Sequence, residues 1–175
     1  MKPIRQFSPP GTYFVTFSSW QRRQLFVVES YVRLFLKIVY GYKRDRRFLL
    51  HAFVLMPEHV HLLITPASSL TLERALQLIK GGYSHAFGIA FRAGEVWQRG
   101  FTDHRIRDAE DFAHHREYIH RNPVERHLVE RPADYRYSSP FPGFRLDAWP
   151  RAAEAAYFQC WCGTSKLAPF PLTLP

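Results

Sequence analysis

Cysteine is nearly missing: only Cys160 and Cys162 occur in the 175 residues. Standing two positions apart, they offer no disulfide framework and only half the ligands of a four-cysteine zinc site. Reduced, inert thiols are the expectation. Long hydrophobic runs are missing too. No stretch approaches the ~20 apolar residues of a membrane span, and residues 1–10 lack the apolar run of a secretory signal. A cytoplasmic protein without a membrane partner is therefore expected. Negative charge is scarce: 15 Asp and Glu against 24 Lys and Arg leave a formal net charge of +9. Such an excess fits a nucleic-acid partner, an anionic surface or plain solvation, and charge alone does not choose among them. Repeats and low-complexity tracts are absent as well. What is abundant is core material, with 46% hydrophobic residues that include 15 Phe, 9 Tyr and 4 Trp. That suffices for one domain of the usual ~100 to 150 residues plus a tail.

Periodicity supplies the elements. Residues 11–20 alternate and are rich in aromatic and β-branched types, a strand with Tyr13, Val15 and Phe17 on one side. Val32, Phe35, Val39 and Tyr42 recur at helical spacing over residues 29–43. Residues 48–56 and 59–65 are apolar runs parted by Pro57 and Glu58, two neighbouring strands with a tight connection. A second long helix covers residues 72–91, with Leu72, Leu76, Ile79, Tyr83 and Phe87 on one stripe. Gly81 and Gly82 interrupt it at about 1 kcal/mol each relative to Ala, which implies a kink or a close backbone approach. Short extended pieces follow at residues 96–98 and 101–107. A third helix starts at Asp108, a good N-cap, and Pro123 is expected to stop it. Residues 132–142 read as loop. The order strand, helix, strand, strand, helix, strand is that of a ferredoxin-like (RRM-like) α+β fold. Its antiparallel sheet is expected to carry helices on one face and leave the other free for chemistry. The domain is placed at residues 1–140, with a tail at 141–175 whose residues 150–160 form a short helix docking on the domain.

Two constellations carry chemistry. In His59-Val60-His61, strand alternation sends Val60, Leu62 and Ile64 to one face and both histidines to the other, their Cα atoms ~6.5 Å apart, so two imidazoles can converge on one ion. Two polar-face histidines without a ligand are the bland alternative. Tyr118 and Asn122, four residues apart, share a helical face, and an asparagine at the expected helix end leaves its amide oxygen free for a hard cation. A core tyrosine and a helix-terminating asparagine are the alternative there. Two imidazoles and an amide oxygen neutralise none of the charge of a divalent ion, which stays a strong Lewis acid towards phosphate. A tyrosine of ordinary pKa ~10 is only about 0.1% ionised at neutral pH, so it needs such a polarised phosphorus to attack.

The segments MPEHVHLLI (56–64), VWQRGFTDHRIRD (96–108) and EYIHRNPVERHLVERPADYRYSS (117–139) resemble those of the REP-associated tyrosine transposases, relatives of the single-tyrosine HUH transposases. The resemblance spans roughly residues 11–139, and nothing beyond Pro140 takes part. It implies a bacterial, nucleoid-associated, Mg²⁺- or Mn²⁺-dependent enzyme that cuts and rejoins single-stranded DNA at hairpins of repetitive extragenic palindromes, through a 5′-phosphotyrosine. It assigns His59 and His61 as the metal-binding pair, Tyr118 as nucleophile and Asn122 as the polar residue completing the metal site. Glu58 departs from the asparagine common before the first histidine. His120 means that no second tyrosine follows in the turn of Tyr118.

Around these segments lie Lys80, Arg99, Arg105, Arg107, Arg116, Arg121 and Arg126, candidates to grip phosphates. Trp97 and Phe101 interleave with Arg99, the composition of a base-stacking platform, with core packing as the alternative. His104, His114 and His115 read as solvated histidines, with proton relay or DNA contact as the alternative. Tyr83, Tyr135 and Tyr137 lack a ligand candidate at the right spacing and read as core or stacking residues. The rival function is a non-catalytic single-strand binding module on the same fold, though such a sheet wants exposed central aromatics where this chain has histidines. A zinc hydrolase would want a third histidine or carboxylate. Monomer and homodimer are equally compatible with the sequence.

Overall fold

The structure, a computed structural model, describes residues 8–91 and 94–150. Both cysteines and residues 151–160 of the expected tail helix lie outside the described residues. The elements run β1 (Tyr13–Ser18), α1 (Glu29–Arg44), β2 (Phe48–Met56), β3 (His59–Pro66), α2 (Leu72–Phe91), β4 (Thr102–Arg105) and α3 (Ala109–Glu125). The four strands form one antiparallel sheet of order β2-β3-β1-β4, the expected ferredoxin-like arrangement with β3 and β1 at its centre.

One face of the sheet is covered by α1 and α2. Val32, Phe35 and Val39 of α1 and the full α2 stripe, Leu72, Leu76, Ile79, Tyr83 and Phe87, bury against Val15, Phe17, Leu62 and Ile64. The glycine pair has its explanation in that packing. A Cβ at Gly82 would lie 2.9 Å from the Tyr42 hydroxyl, whereas one at Gly81 would meet nothing within 4 Å. Of the two readings of the pair, close approach of α2 to α1 is the one found at Gly82, and α2 runs unbroken through both glycines.

The second face is not bare, which modifies the expectation of a free face. Phe112 and Ile119 of α3 pack there on Ala52, Val54, Met56 and Leu63. The cause is visible in β2, whose FLLHAFVLM is buried at eight of nine positions and so needs cover on both sides. Pro123 does not end α3 either. It removes one donor, the amide that would bond the Ile119 carbonyl, while the amides of Arg126 and Leu128 still close onto the carbonyls of Asn122 and Pro123 at 3.1 and 2.9 Å. Asn122 therefore stands inside the helix, one turn before its end.

Packing also continues past residue 140. The chain returns along the outer edge of β2, where the amides of Leu55 and Ser139 reach the carbonyls of Tyr137 and Phe53 at 2.8 and 2.9 Å. Phe144 then packs edge-on against Phe53, and the Asp147 carboxylate accepts from the Leu50 amide and the Lys43 ammonium, each at 2.8 Å. Trp149 stacks on Phe112 and donates to the Thr12 hydroxyl at 3.0 Å. Among the described residues the packed chain reaches Trp149, and the edge strand is blocked against foreign pairing.

Candidate functional site

The sheet register brings the histidines of β3 beneath α3. His61 pairs with Thr16 of β1 and Val54 of β2, and His59 with Ser18 and Met56. Both imidazoles are 5% exposed, and their Nε2 atoms face each other at 3.0 Å. The far nitrogen of each ring is held from outside: His59 Nδ1 donates to the Glu58 carboxylate at 3.1 Å, and His61 Nδ1 lies 2.7 Å from the Thr16 hydroxyl. The Glu58 bond turns the His59 Nε2 lone pair towards His61, and in the His61 tautomer whose Nδ1–H donates to the Thr16 hydroxyl the two Nε2 lone pairs converge. Burial, reinforced by the charges of His59 and Arg126, holds His61 down to about 3, and burial likewise lowers His59 against the opposing pull of Glu58. Both rings are thus neutral near neutral pH. Burial alone would raise the Glu58 carboxyl, yet His59 and the Arg22 guanidinium, 3.2 Å away, carry it below the ordinary range. Glu58 therefore serves as the acceptor that fixes the His59 ring.

Asn122 is buried above the pair, with its Nδ2 3.5 Å from His61 Nε2. Its Oδ1 is buried and meets no hydrogen-bond partner among the described residues. An orphaned amide oxygen beside two convergent imidazole lone pairs fits a divalent ion with mixed nitrogen and oxygen ligands, because the ion would supply the missing partner.

Tyr118 stands one helical turn before Asn122. The residue is 39% exposed, and its ring sits edge-on to His61, with centroids 5.4 Å apart. Phe14 completes the setting, stacked on His61 at 5.3 Å and edge-on to Tyr118 at 5.7 Å. Sequence reasoning did not single out Phe14 or Thr16. The available signal was their alternation opposite Tyr13, Val15 and Phe17, which assigns them to the histidine face once β1 is known to neighbour β3.

The structure thus brings together His59, His61, Asn122 and Tyr118. Arg126, one turn beyond Asn122, is exposed and near enough for its charge to bear on both histidines. The other basic candidates scatter. Arg121 lies 3.9 Å from Glu125, Arg116 lies over the Phe112 ring, Arg105 donates to the Pro10 carbonyl at 3.0 Å, and Arg99 is exposed. Lys80 belongs to the opposite, α2-covered face, where its ammonium donates to the carbonyls of Gln98 and Gly100 at 3.1 and 2.7 Å. Trp97 packs there among Phe17, Phe26, Phe35 and Tyr83, and its indole donates to the Lys80 carbonyl at 3.0 Å. It occupies the core alternative, and Phe101 packs against the same core.

His104 and His115 are not the solvated histidines expected. Both reach the buried carboxylate of Asp111, at 2.9 and 3.0 Å, and their rings stack at 4.4 Å. Arg107 lies 3.3 Å from the same carboxylate. Burial would raise the Asp111 carboxyl, but the bonds from His104 and from the backbone and side chain of Arg107 outweigh it and hold the group far below the usual range. No helix among the described residues is long and apolar enough to cross a membrane.

Fold and site together define an α+β domain of ferredoxin-like order that sets an imidazole pair, an amide and a tyrosine on one sheet face. The profile described as "Transposase IS200 like" matches residues 11–122. The REP-associated tyrosine transposase of Escherichia coli (strain K12) is 32% identical over 160 residues, covering 91% of this chain and 89% of that protein. A solved REP-associated tyrosine transposase bound to a REP hairpin superposes with a TM-score of 0.67 at 30% identity, over 79% of this chain and 81% of that one. The chain belongs to the IS200-like transposase family, and within it to the REP-associated tyrosine transposases.

Proposed function

We propose that the chain is a metal-dependent single-stranded DNA endonuclease and strand transferase that acts on REP-type hairpins. The observation that carries this reading is the convergence of the His59 and His61 Nε2 atoms, 3.0 Å apart, with the orphaned Asn122 oxygen beside Tyr118. The hairpin-bound relative supports the substrate class.

In this reading the Tyr118 hydroxyl oxygen attacks the phosphorus of a phosphodiester. The new P–O bond forms as the P–O3′ bond breaks, the phenol proton passes to water, and the departing 3′-oxygen takes up a proton to become a free 3′-hydroxyl. The 5′-phosphate remains on Tyr118, so the bond energy is conserved. Attack by a 3′-hydroxyl on that phosphotyrosine reverses the chemistry and joins strands. Mg²⁺ or Mn²⁺, held by the Nε2 atoms of His59 and His61 and by Oδ1 of Asn122, would supply Lewis-acid polarisation of a phosphate oxygen, and the mixed ligand set suits Mn²⁺ somewhat better. Thr16 and Glu58 keep both imidazoles in the tautomer that presents Nε2. Phe14 and His61 hold the Tyr118 ring while the residue's 39% exposure leaves it open to a strand. Arg126, with Arg99, Arg105, Arg107, Arg116 and Arg121, would hold phosphates, Arg126 nearest the reacting one. Lys80 and Trp97, tied into the opposite face, would act through the loop they brace. The setting is the bacterial cytoplasm and its nucleoid DNA.

The reading is tested with hairpin-bearing single-stranded DNA and Mn²⁺ or Mg²⁺. Cleavage is expected to vanish in His59→Ala, in His61→Ala and in excess chelator, while mobility-shift affinity for the hairpin changes by less than about threefold. Undiminished cleavage by either variant contradicts the metal site.

A further inference from the structure

His104, Asp111 and His115 form a cluster outside the site described above, and the sequence separates them enough to hide it. His104 lies on β4 opposite Phe14 of β1, so its side chain is on the sheet face that α3 covers. Asp108 caps α3 by accepting the Asp111 amide at 2.9 Å, which starts the helix where Asp111 and, one turn later, His115 meet that strand. His104 Nε2 lies 2.9 Å from one carboxylate oxygen of Asp111, and His115 Nδ1 lies 3.0 Å from the other while donating to the Asp111 backbone carbonyl at 2.9 Å. The rings stack at 4.4 Å and 18°, so both nitrogens approach the carboxylate from one side. The three potential ligand atoms lie within 4.8 Å of one another, so they would have to draw in towards the separation of about 3.4 Å that ligands 2.0 to 2.2 Å from one tetrahedral ion adopt.

We propose that His104, Asp111 and His115 form a second metal site, for an ion of the Zn²⁺ class, distinct from the His59, His61 and Asn122 constellation. Two imidazoles and one carboxylate suit such an ion better than Mg²⁺, which prefers an all-oxygen shell. On binding, His115 would give up its bond to the Asp111 carbonyl and carry its proton on Nε2, His104 would carry its own on Nδ1, and water would fill the fourth position. Arg107, 3.3 Å from the Asp111 carboxylate, competes for it, but its side chain is 76% exposed and can swing into solvent. The ion would join the edge strand β4 to the first turns of α3. Tyr118 follows His115 by less than one turn, and Phe14 touches both rings. The second site would thus fix the helix that carries Tyr118 without touching the reacting phosphate.

The test uses the full chain carrying His59→Ala, His61→Ala, Cys160→Ser and Cys162→Ser, which removes the imidazoles of the first site and both thiols. Equilibrium dialysis against Zn²⁺ is expected to give about one ion per chain, and Zn²⁺ is expected to raise the thermal midpoint. Adding His104→Ala, on the edge strand, or Asp111→Asn is expected to weaken the binding at least tenfold and to abolish the midpoint shift. No Zn²⁺ binding in the fourfold background, or binding unchanged by both added substitutions, overturns the proposal. Because this background lacks the first site, the outcome does not depend on whether His59 and His61 support cleavage.

Discussion

At the scale of single residues, the site is a problem of keeping two buried imidazoles neutral and aimed. His61 illustrates it: its pKa is about 3 in the fold against an ordinary 6.5, chiefly through burial. Below pH ~6.5 the unfolded chain takes up a proton that the folded chain refuses, so the stability present above that pH is lost as pH falls towards 3. Urea denaturation of the metal-free chain at pH 7 and pH 4.5 is expected to show this loss, and His61→Gln, which cannot titrate, is expected to show less of it. Equal losses would contradict the assignment. Strand and helix periods made two pairs legible in sequence, His59 with His61 and Tyr118 with Asn122, while their union in one site rested on the family resemblance. Phe14 and Thr16 were not legible, since their meeting with His61 depends on β1 lying beside β3. The trio of His104, Asp111 and His115 was hidden for the same reason, as it needs the pairing of β4 with β1 and the angle of α3.

At the scale of elements, the apolar stripes of α1 and α2 and the alternation of β1 could be read directly, whereas two features turned on contacts. Pro123 was expected to stop α3, yet so near a helix end the loss of one donor is tolerable and the downstream amides still close. The glycine pair admitted two readings, and only the contact of Gly82 with Tyr42 decides between them. Gly81→Ala, with open space around its Cβ, is expected to stabilise the fold by about 0.5 to 1 kcal/mol through helix propensity. Gly82→Ala is expected to fall short of that by about 1 kcal/mol or more, because the Tyr42 hydroxyl and ring must move. Chemical denaturation of the two variants checks the difference, and equal gains would remove the case for close approach. The third helix also covers the second sheet face, a need already written in the nearly unbroken apolar run of β2.

At the scale of the whole molecule, the charge of +9 has a measurable consequence if the chain holds a nucleic-acid strand. Arg105, Arg107, Arg116, Arg121 and Arg126 lie on β4, on α3, or between and just beyond them, and of these Arg126 is the one whose charge bears on the imidazole pair. If they neutralise ~5 phosphates of a single strand, the logarithm of hairpin affinity should fall against that of salt with a slope near −3.5. A salt titration by fluorescence anisotropy reads this slope, and a flat response would leave the charge without that role. The stretch from Phe144 to Trp149 belongs to the same scale. Sequence patterns ended the domain near residue 140 because a strap of single anchors, Phe144, Asp147 and Trp149, has no periodicity to betray it. It is visible only in what each anchor meets on β2 and α3.

The central claim is that Tyr118 becomes joined to the 5′-phosphate of a cut strand. It is tested most directly by incubating the chain with hairpin-bearing single-stranded DNA and Mn²⁺, denaturing, digesting with nuclease and protease, and mapping the phosphonucleotide by mass spectrometry. The account requires the adduct on Tyr118 and its disappearance in Tyr118→Phe. An adduct on another residue, or one that persists in Tyr118→Phe, would contradict it.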